Sequence, residues 1–369
     1  MKHFPEKHTA ENIKHTVENV AEKFGIPLTG LKIITDSGAN IKKACQGLDS
    51  FLCFCHKLST CIENAWQAAT SCDENFSDLN ASTNKLVSAI NHKLDIQGQL
   101  KVKVKDSNQT RAWRGLCQKF ERIQINFEII ERLAANEKAL RPIFQVDRDI
   151  LSDLVGFLQA VNAVFDEFEK KTPTSQMVLS RYYKLLDLCV NSKDSIKSFT
   201  EPFTQALKTK FYSSIKDIHY LAAIMTPQFR KFLFVKDEEL RATERKKAVA
   251  LLKALCPEKS DVVLIEELSQ KKNKVEFDSG EDDEDDFRAE SDEAEAYLTL
   301  KSPRFENPLD FWKLHKGQFP VLSENAAYIF VVPASSSVCE RLFSRVGKIM
   351  RPDRCSLDPA HLSFLTFLL

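Results

Sequence analysis

A chain of 369 residues with 43% hydrophobic content is long enough for two or three domains and apolar enough to bury real cores, which excludes a wholly disordered protein. Only ten glycines in that length, against long runs of Leu, Lys, Glu and Ala, argue against sandwiches, barrels and a large Gly-turned enzyme, and for a mostly α fold. The formal net charge of zero conceals a segregation: residues 276–295 hold twelve acidic side chains and one basic, leaving 51 basic against 40 acidic elsewhere, a balance compatible with nucleic-acid contact or with an ordinary solvated surface.

In chain order, Ile13, Val17, Val20, Ala21 and Phe24 form a helical stripe closed by Gly25 and Pro27. Leu31 to Asp36 reads as a short buried strand, and Ser37-Gly38-Ala39-Asn40 turns the chain into a second helix. Phe51 to Cys55 is a second strand and Lys57 to Ala69 a third helix, the rhythm of an α/β sheet fragment. Residues 73–110 are polar and linker-like, with one helical piece near Leu86 to Leu94. From Trp113 the pattern is helical: Leu116–Leu133, Ala139–Phe144, Arg148–Glu169, Gln176–Val190, Ser195–Phe211, a break at Thr226-Pro227, then Glu238–Leu255. The acidic stretch around Asp282 to Asp286 cannot bury enough apolar surface to order itself, after which the chain turns apolar and aromatic to its end. The expected domains are therefore 1–110, a partial α/β domain; 111–270, an all-α domain; 271–300, an acidic linker; and 301–369, a C-terminal region. No repeat at fixed period is present, which disfavours a solenoid.

No stretch approaches the roughly 18 apolar residues of a membrane span, so no membrane partner is expected. Met1 to Pro5 reads as neither a signal nor a transit peptide, and ten cysteines scattered through a long chain are expected to be reduced, buried thiols of an intracellular protein. No P-loop, GxGxxG, GxSxG or HExxH occurs, which removes the usual anchors of nucleotide, hydride, esterase and metalloprotease chemistry.

Three places remain for chemistry. Asp36 ends a strand, where open α/β sheets present catalytic groups to a crevice; equally, it could only cap the turn that follows. Cys53-Phe54-Cys55-His56 with Cys61 has the ligand types of a zinc site, but no second Cys/His pair follows at finger-like spacing, which favours inert thiols and one hydrogen-bonded histidine. Ser337 to Glu340 fits the S-x-x-E capping box of a helix whose apolar residues Val338, Leu342, Phe343, Val346 and Ile349 share one side. The many phenylalanines at helical spacing, such as Phe157, Phe165 and Phe168, read as core.

Taken together, landmarks along the whole chain resemble the hAT superfamily of DNA transposases and its domesticated relatives, some of which carry BED-type zinc fingers. The most specific run from Asn307-Pro308-Leu309-Asp310-Phe311-Trp312 through Phe319-Pro320-Val321-Leu322 and Val332 to Gly347, to Leu357 to Leu365, and resemble that family's C-terminal dimerisation region. Upstream, Thr35 to Ile41 is similar to the second-aspartate motif, Cys53 to Leu58 to the C-x-x-H motif, Thr110 to Arg114 to the Arg-Trp motif, and Ala222 to Arg230 to the A-x-x-x-D-P-R-F-K stretch.

The resemblance implies an RNase H-like fold interrupted by an α-helical insertion, with two aspartates and a glutamate holding Mg²⁺ or Mn²⁺ for strand cleavage and transfer. By motif match, Asp36 is the second aspartate and Glu340 the glutamate, both residual catalytic and metal-binding carboxylates; Cys53 and His56 are the structural pair. Trp113 matches a DNA-stacking tryptophan, flanked by Arg111 and Arg114. Phe311, Trp312, Phe319, Leu342, Phe343, Leu362, Phe364 and Leu365 are the packing or dimerisation residues. Two departures stand out. The first aspartate of the family would lie ahead of Met1, together with the first three strands and any BED finger; Ala112 separates Arg111 from Trp113, and Thr226 replaces an aspartate.

The expectation is thus a transposase-derived nuclear protein that self-associates, contacts DNA, needs no cofactor as written and does not cut DNA. The alternatives are an active transposase whose N-terminal part is missing from the sequence, and a helical protein-interaction scaffold.

Overall fold

The computed structural model describes residues 7–104, 112–171, 173–256, 293–301 and 305–349. They are mostly helical, as the composition requires, and contacts divide the chain into two compact units: residues 1–216 together with 332–369, and residues 217–331. Residues 271–292 of the expected acidic linker 271–300 lie outside the described residues, as do Arg111 and the final residues Leu362, Phe364 and Leu365, whereas Glu293–Thr299 of that linker is helical.

In the first unit, α1 (Ala10–Lys23) is capped by Thr9, whose hydroxyl accepts from the Asn12 amide at 3.3 Å, and ends where Gly25 takes a positive φ of 64°. The strands β1 (Lys32–Thr35) and β2 (Asp49–Leu52) pair in parallel, Lys32 against Asp49 and Thr35 against Leu52, joined through α2 (Ala39–Ala44). Two short parallel strands cannot stand alone in water, so the helices around them supply the stability. The second strand lies two to three residues earlier than the pattern of Phe51 to Cys55 suggests. Cys53 leaves the strand to become the N-cap of α3 (Phe54–Cys72), drawing Phe54 into the core.

The largest difference from the sequence pattern falls on residues 73–104. The one helical piece expected near Leu86 to Leu94 belongs to a longer α4 (Glu74–Asn91), capped by Asp73, and the short α5 (Leu94–Gln99) follows it where a linker was expected. Phe76, Leu79, Leu86, Val87 and Ile90 share a buried face with Ser82 and Thr83, and those two small polar residues mask the stripe. The Thr83 hydroxyl donates to the Leu79 carbonyl at 2.7 Å, which makes its burial inexpensive.

Helices α6 (Ala112–Ala134), α7 (Arg148–Phe168), α8 (Met177–Val190) and α9 (Lys197–Ala206) follow, with a 3₁₀ segment at Lys138–Gln145. α3 packs on α9, α6 on α7, and the 3₁₀ segment on α4 and α6. The expected helix to Phe211 widens into a π turn at Leu207–Phe211, which sets Phe211 against Phe54 (ring centroids 4.9 Å) and Phe168 (6.5 Å). A second aromatic cluster joins Trp66 to Phe76, Phe120 and Phe199.

The second unit contains α10 (Asp217–Ile224), α11 (Glu238–Lys253), α12 (Glu293–Thr299), α13 (Pro308–Leu314) and α14 (Pro320–Phe330). Its core is Tyr297, Phe311, Trp312 and Phe319, all 2% exposed or less. The Tyr297 hydroxyl donates to the Ile224 carbonyl and the Trp312 indole N–H to the Met225 carbonyl, each at 2.9 Å, so the large side chains also satisfy the carbonyls at the end of α10. Thr226, where the resembled motif has an aspartate, is buried and donates its hydroxyl to the Ala222 carbonyl at 2.7 Å. The chain then re-enters the first unit, where α15 (Ser337–Ile349) is its last described helix.

Candidate functional site

The site is built where the end of the small sheet meets the start of α15. The Thr35 carbonyl, closing β1, accepts from the Cys53 amide at 2.7 Å, and the Phe54 amide donates to the Ala334 carbonyl at 2.9 Å. The Ser336 amide in turn donates to the Cys53 sulfur at 3.3 Å, a contact that spans 283 residues of sequence. Cys53 therefore sits at the N-termini of two helices at once, α3 and α15.

That position suits an electron-rich sulfur. The Cys55 thiol, donating to Cys53, holds the Cys53 thiol well below its usual range against the opposing effect of burial, with further help from His56 and Ser336. Cys55 is pushed up correspondingly by Cys53 and by burial. Six of the nine described cysteines are buried.

Four further hydrogen bonds fix α15. The Ala334 amide donates to the Thr174 hydroxyl at 2.8 Å and the Ser335 hydroxyl to the Phe168 carbonyl at 2.9 Å. Arg341 donates through one nitrogen to the Glu169 carbonyl at 2.6 Å and to the Ser337 hydroxyl at 3.1 Å. These bonds turn Ser337 and Arg341 toward the protein. In consequence the apolar side expected to face the core is only partly inward: Val346 is buried, whereas Val338 and Phe343 are 54% and 56% exposed and Leu342 is half-buried.

The capping arrangement also differs from the S-x-x-E expectation by one residue. The Ser336 hydroxyl donates to a Glu340 carboxylate oxygen at 3.2 Å, while Ser337 lies inside the helix. The same carboxylate oxygen is 4.0 Å from Nδ1 of His56. A half-buried carboxylate and an imidazole thus face each other beside the thiol pair. Asp36 lies one residue beyond Thr35, exposed, with its Oδ1 accepting from the Gly38 amide at 2.9 Å. The structure therefore joins Cys53, His56 and Glu340, and places Asp36 at the adjoining strand end engaged in a turn.

Trp113, at the start of α6, is 3% exposed and stacks on Phe165 with ring centroids 3.7 Å apart. Arg114 lies over the Trp113 ring at 5.3 Å and bridges Asp166 at 3.3 Å and Glu169 at 3.2 Å. Glu169 is the residue that sequence reasoning missed: its carboxylate holds Arg114 and its carbonyl receives Arg341, tying the start of α6 to the start of α15. Nothing in its local sequence marks it.

The resemblance implies a divalent ion held by carboxylates such as Asp36 and Glu340. Among the described residues no three His, Cys, Asp or Glu side chains converge as a metal site, and Asp36 and Glu340 each bond a local N–H or O–H. The described residues do not fit a resident ion. Among the described residues, no helix is long and apolar enough to cross a membrane.

Residues 289–368 match the family described as the hAT family C-terminal dimerisation region. The chain is 23% identical over 192 residues, half of its length, to the Transposable element Hobo transposase of Drosophila melanogaster. It is 43% identical over 68 residues, 18% of its length, to the protein described as "Putative transcriptional regulator tpeD" of Talaromyces stipitatus. These alignments span 28% and 8% of the two relatives, so the chain corresponds to a minor part of each.

Proposed function

Proceeding from an hAT-family transposase-like protein, we propose that its function is to self-associate through the C-terminal region and to contact DNA in the nucleus, without strand cleavage by the chain as given. The observation that carries the self-association is the dimerisation-region match over residues 289–368. Two differently tagged copies, co-expressed, are expected to purify together; recovery of only the tag used for capture would overturn the reading.

The topology supports an RNase H-like core with insertions. A parallel β1-α2-β2 unit continues into α3, and after more than 280 residues the chain returns to Cys53 at the strand end. The helices of residues 112–216 and the unit of residues 217–331 are inserted between. Nuclear location is favoured by the kinship with a transposase, and DNA contact by the basic excess outside residues 276–295.

Both carboxylates serve local turns and caps, which supports a chain without cleavage activity. Nicking of supercoiled DNA in Mg²⁺ or Mn²⁺ is expected to match that of the Asp36→Asn and Glu340→Gln variants. Nicking that only the unsubstituted chain performs would instead favour the active-transposase reading. A salt-dependent mobility shift is expected with DNA, and no shift at low salt would favour the helical scaffold.

A further inference from the structure

The segment matched by the dimerisation family holds two kinds of apolar residue. Phe311, Trp312 and Phe319 are 0%, 2% and 1% exposed inside the 217–331 unit, so they cannot meet a second molecule without unfolding it. α14 differs. Leu322, Ala326, Ile329 and Phe330 are buried, while Val321 is 39%, Tyr328 63% and Val331 65% exposed, with exposed Glu324 and Ala327 among them.

At about 100° per residue, Val321, Glu324, Tyr328 and Val331 fall within an arc of roughly 80°, one outward stripe. The N-terminal end of that stripe is held in place. The Glu293 carboxylate accepts from the Val321 amide at 3.2 Å and from the Leu322 amide at 3.1 Å, capping α14 and favouring its dipole.

We infer that this stripe is the surface on which two copies of the chain meet, as an antiparallel pair of α14 helices about a two-fold axis. The inference rests on the self-association reading and names the face that performs it. Its spacing of three, four and three residues is the same in both directions. A two-fold axis at the midpoint therefore sets Val321 of one copy on Val331 of the other, and Glu324 on Tyr328, where the phenol O–H donates to the carboxylate. Ala327 beside the midpoint leaves room for the helices to approach. In that pairing each copy opposes its one carboxylate to the other's one hydroxyl and its valines to the other's valines, so the stripe is complementary to itself. The stripe is only about 15 Å long, so it supplies the centre of an interface and an affinity that single substitutions abolish.

The test is sedimentation velocity of the full chain at micromolar concentration, with circular dichroism confirming that each variant is folded. Val321→Lys and Val331→Glu, both at exposed positions, are each expected to sediment as monomers. Mixed in equal amounts they are expected to regain the dimer, because the lysine of one faces the glutamate of the other. Tyr328→Phe should remain dimeric and weaken association several-fold through the lost hydrogen bond. A monomeric unsubstituted chain would overturn the self-association reading and this face with it. A dimer that both charged variants leave intact would overturn the face alone, and monomers that do not recombine would overturn the antiparallel pairing.

Discussion

Lys119 provides a sharp physical test of the helical core. It lies on α6, 4% exposed, with Nζ donating to Asn84 at 2.9 Å and Asn80 at 3.4 Å, both on α4. No carboxylate is among these partners, and burial pushes its ammonium from 10.5 down to about 8. Below pH 8 the folded state carries an ill-solvated charge that the unfolded state carries in water. Between pH 8 and 10.5 the folded form has already released the proton while the unfolded form still holds it, so stability rises with pH across that window. A displacement of this size corresponds to about 3 kcal/mol as an upper bound. Replacing Lys119 by Met removes the penalty but loses two neutral-acceptor hydrogen bonds worth about 1 kcal/mol each. At pH 7 the variant should be equal to or more stable than the parent, by up to about 1 kcal/mol. Urea unfolding of both proteins at several pH values is the assay, read as the difference between them, which cancels other alkaline titrations. The variant's advantage should shrink by about 2–3 kcal/mol between pH 7 and 10. Parallel stability curves would refute the argument.

Three other outcomes follow from single contacts. Trp312→Phe strands the buried Met225 carbonyl and should cost about 1–3 kcal/mol, seen as a lower urea midpoint for the 217–331 unit; an unchanged midpoint would contradict the packing described. Arg341→Ala frees the Glu169 carbonyl and the Ser337 hydroxyl, and amide exchange at the start of α15 should quicken about tenfold or more, for a loss near 1.5 kcal/mol. Exchange rates equal to the parent's would show that α15 is held elsewhere. Tyr297→Phe should destabilise by about 1–2 kcal/mol through the lost bond to the Ile224 carbonyl, measured by thermal unfolding.

Much of the fold was legible because its signals are local. The stripe of α1, the βαβ rhythm and the boundaries of α7 and α8 follow from periodicity and end residues. The first half of α4 was hidden because Ser82 and Thr83 occupy core-facing positions, where they interrupt the apolar period although the backbone satisfies Thr83. β2 ends before Cys53 because that residue is needed as a helix cap, and strand propensity cannot weigh a contact 283 residues away. The orientation of α15 was misread for a related reason. Its own sequence favours burying Val338 and Phe343, but bonds from Arg341 and Ser335 to the end of α7 turn it. The motif residues Cys53, His56 and Glu340 could be named from sequence, whereas Glu169, which connects two of the motifs, could not.

The central claim is that this chain acts as more than one copy. Light scattering on the eluting 369-residue chain weighs that directly, because one copy has a mass of 42.1 kDa. A species of about twice that mass or more, persisting into the micromolar range, is the predicted result. A peak that holds the mass of a single chain at every concentration in that range would contradict it.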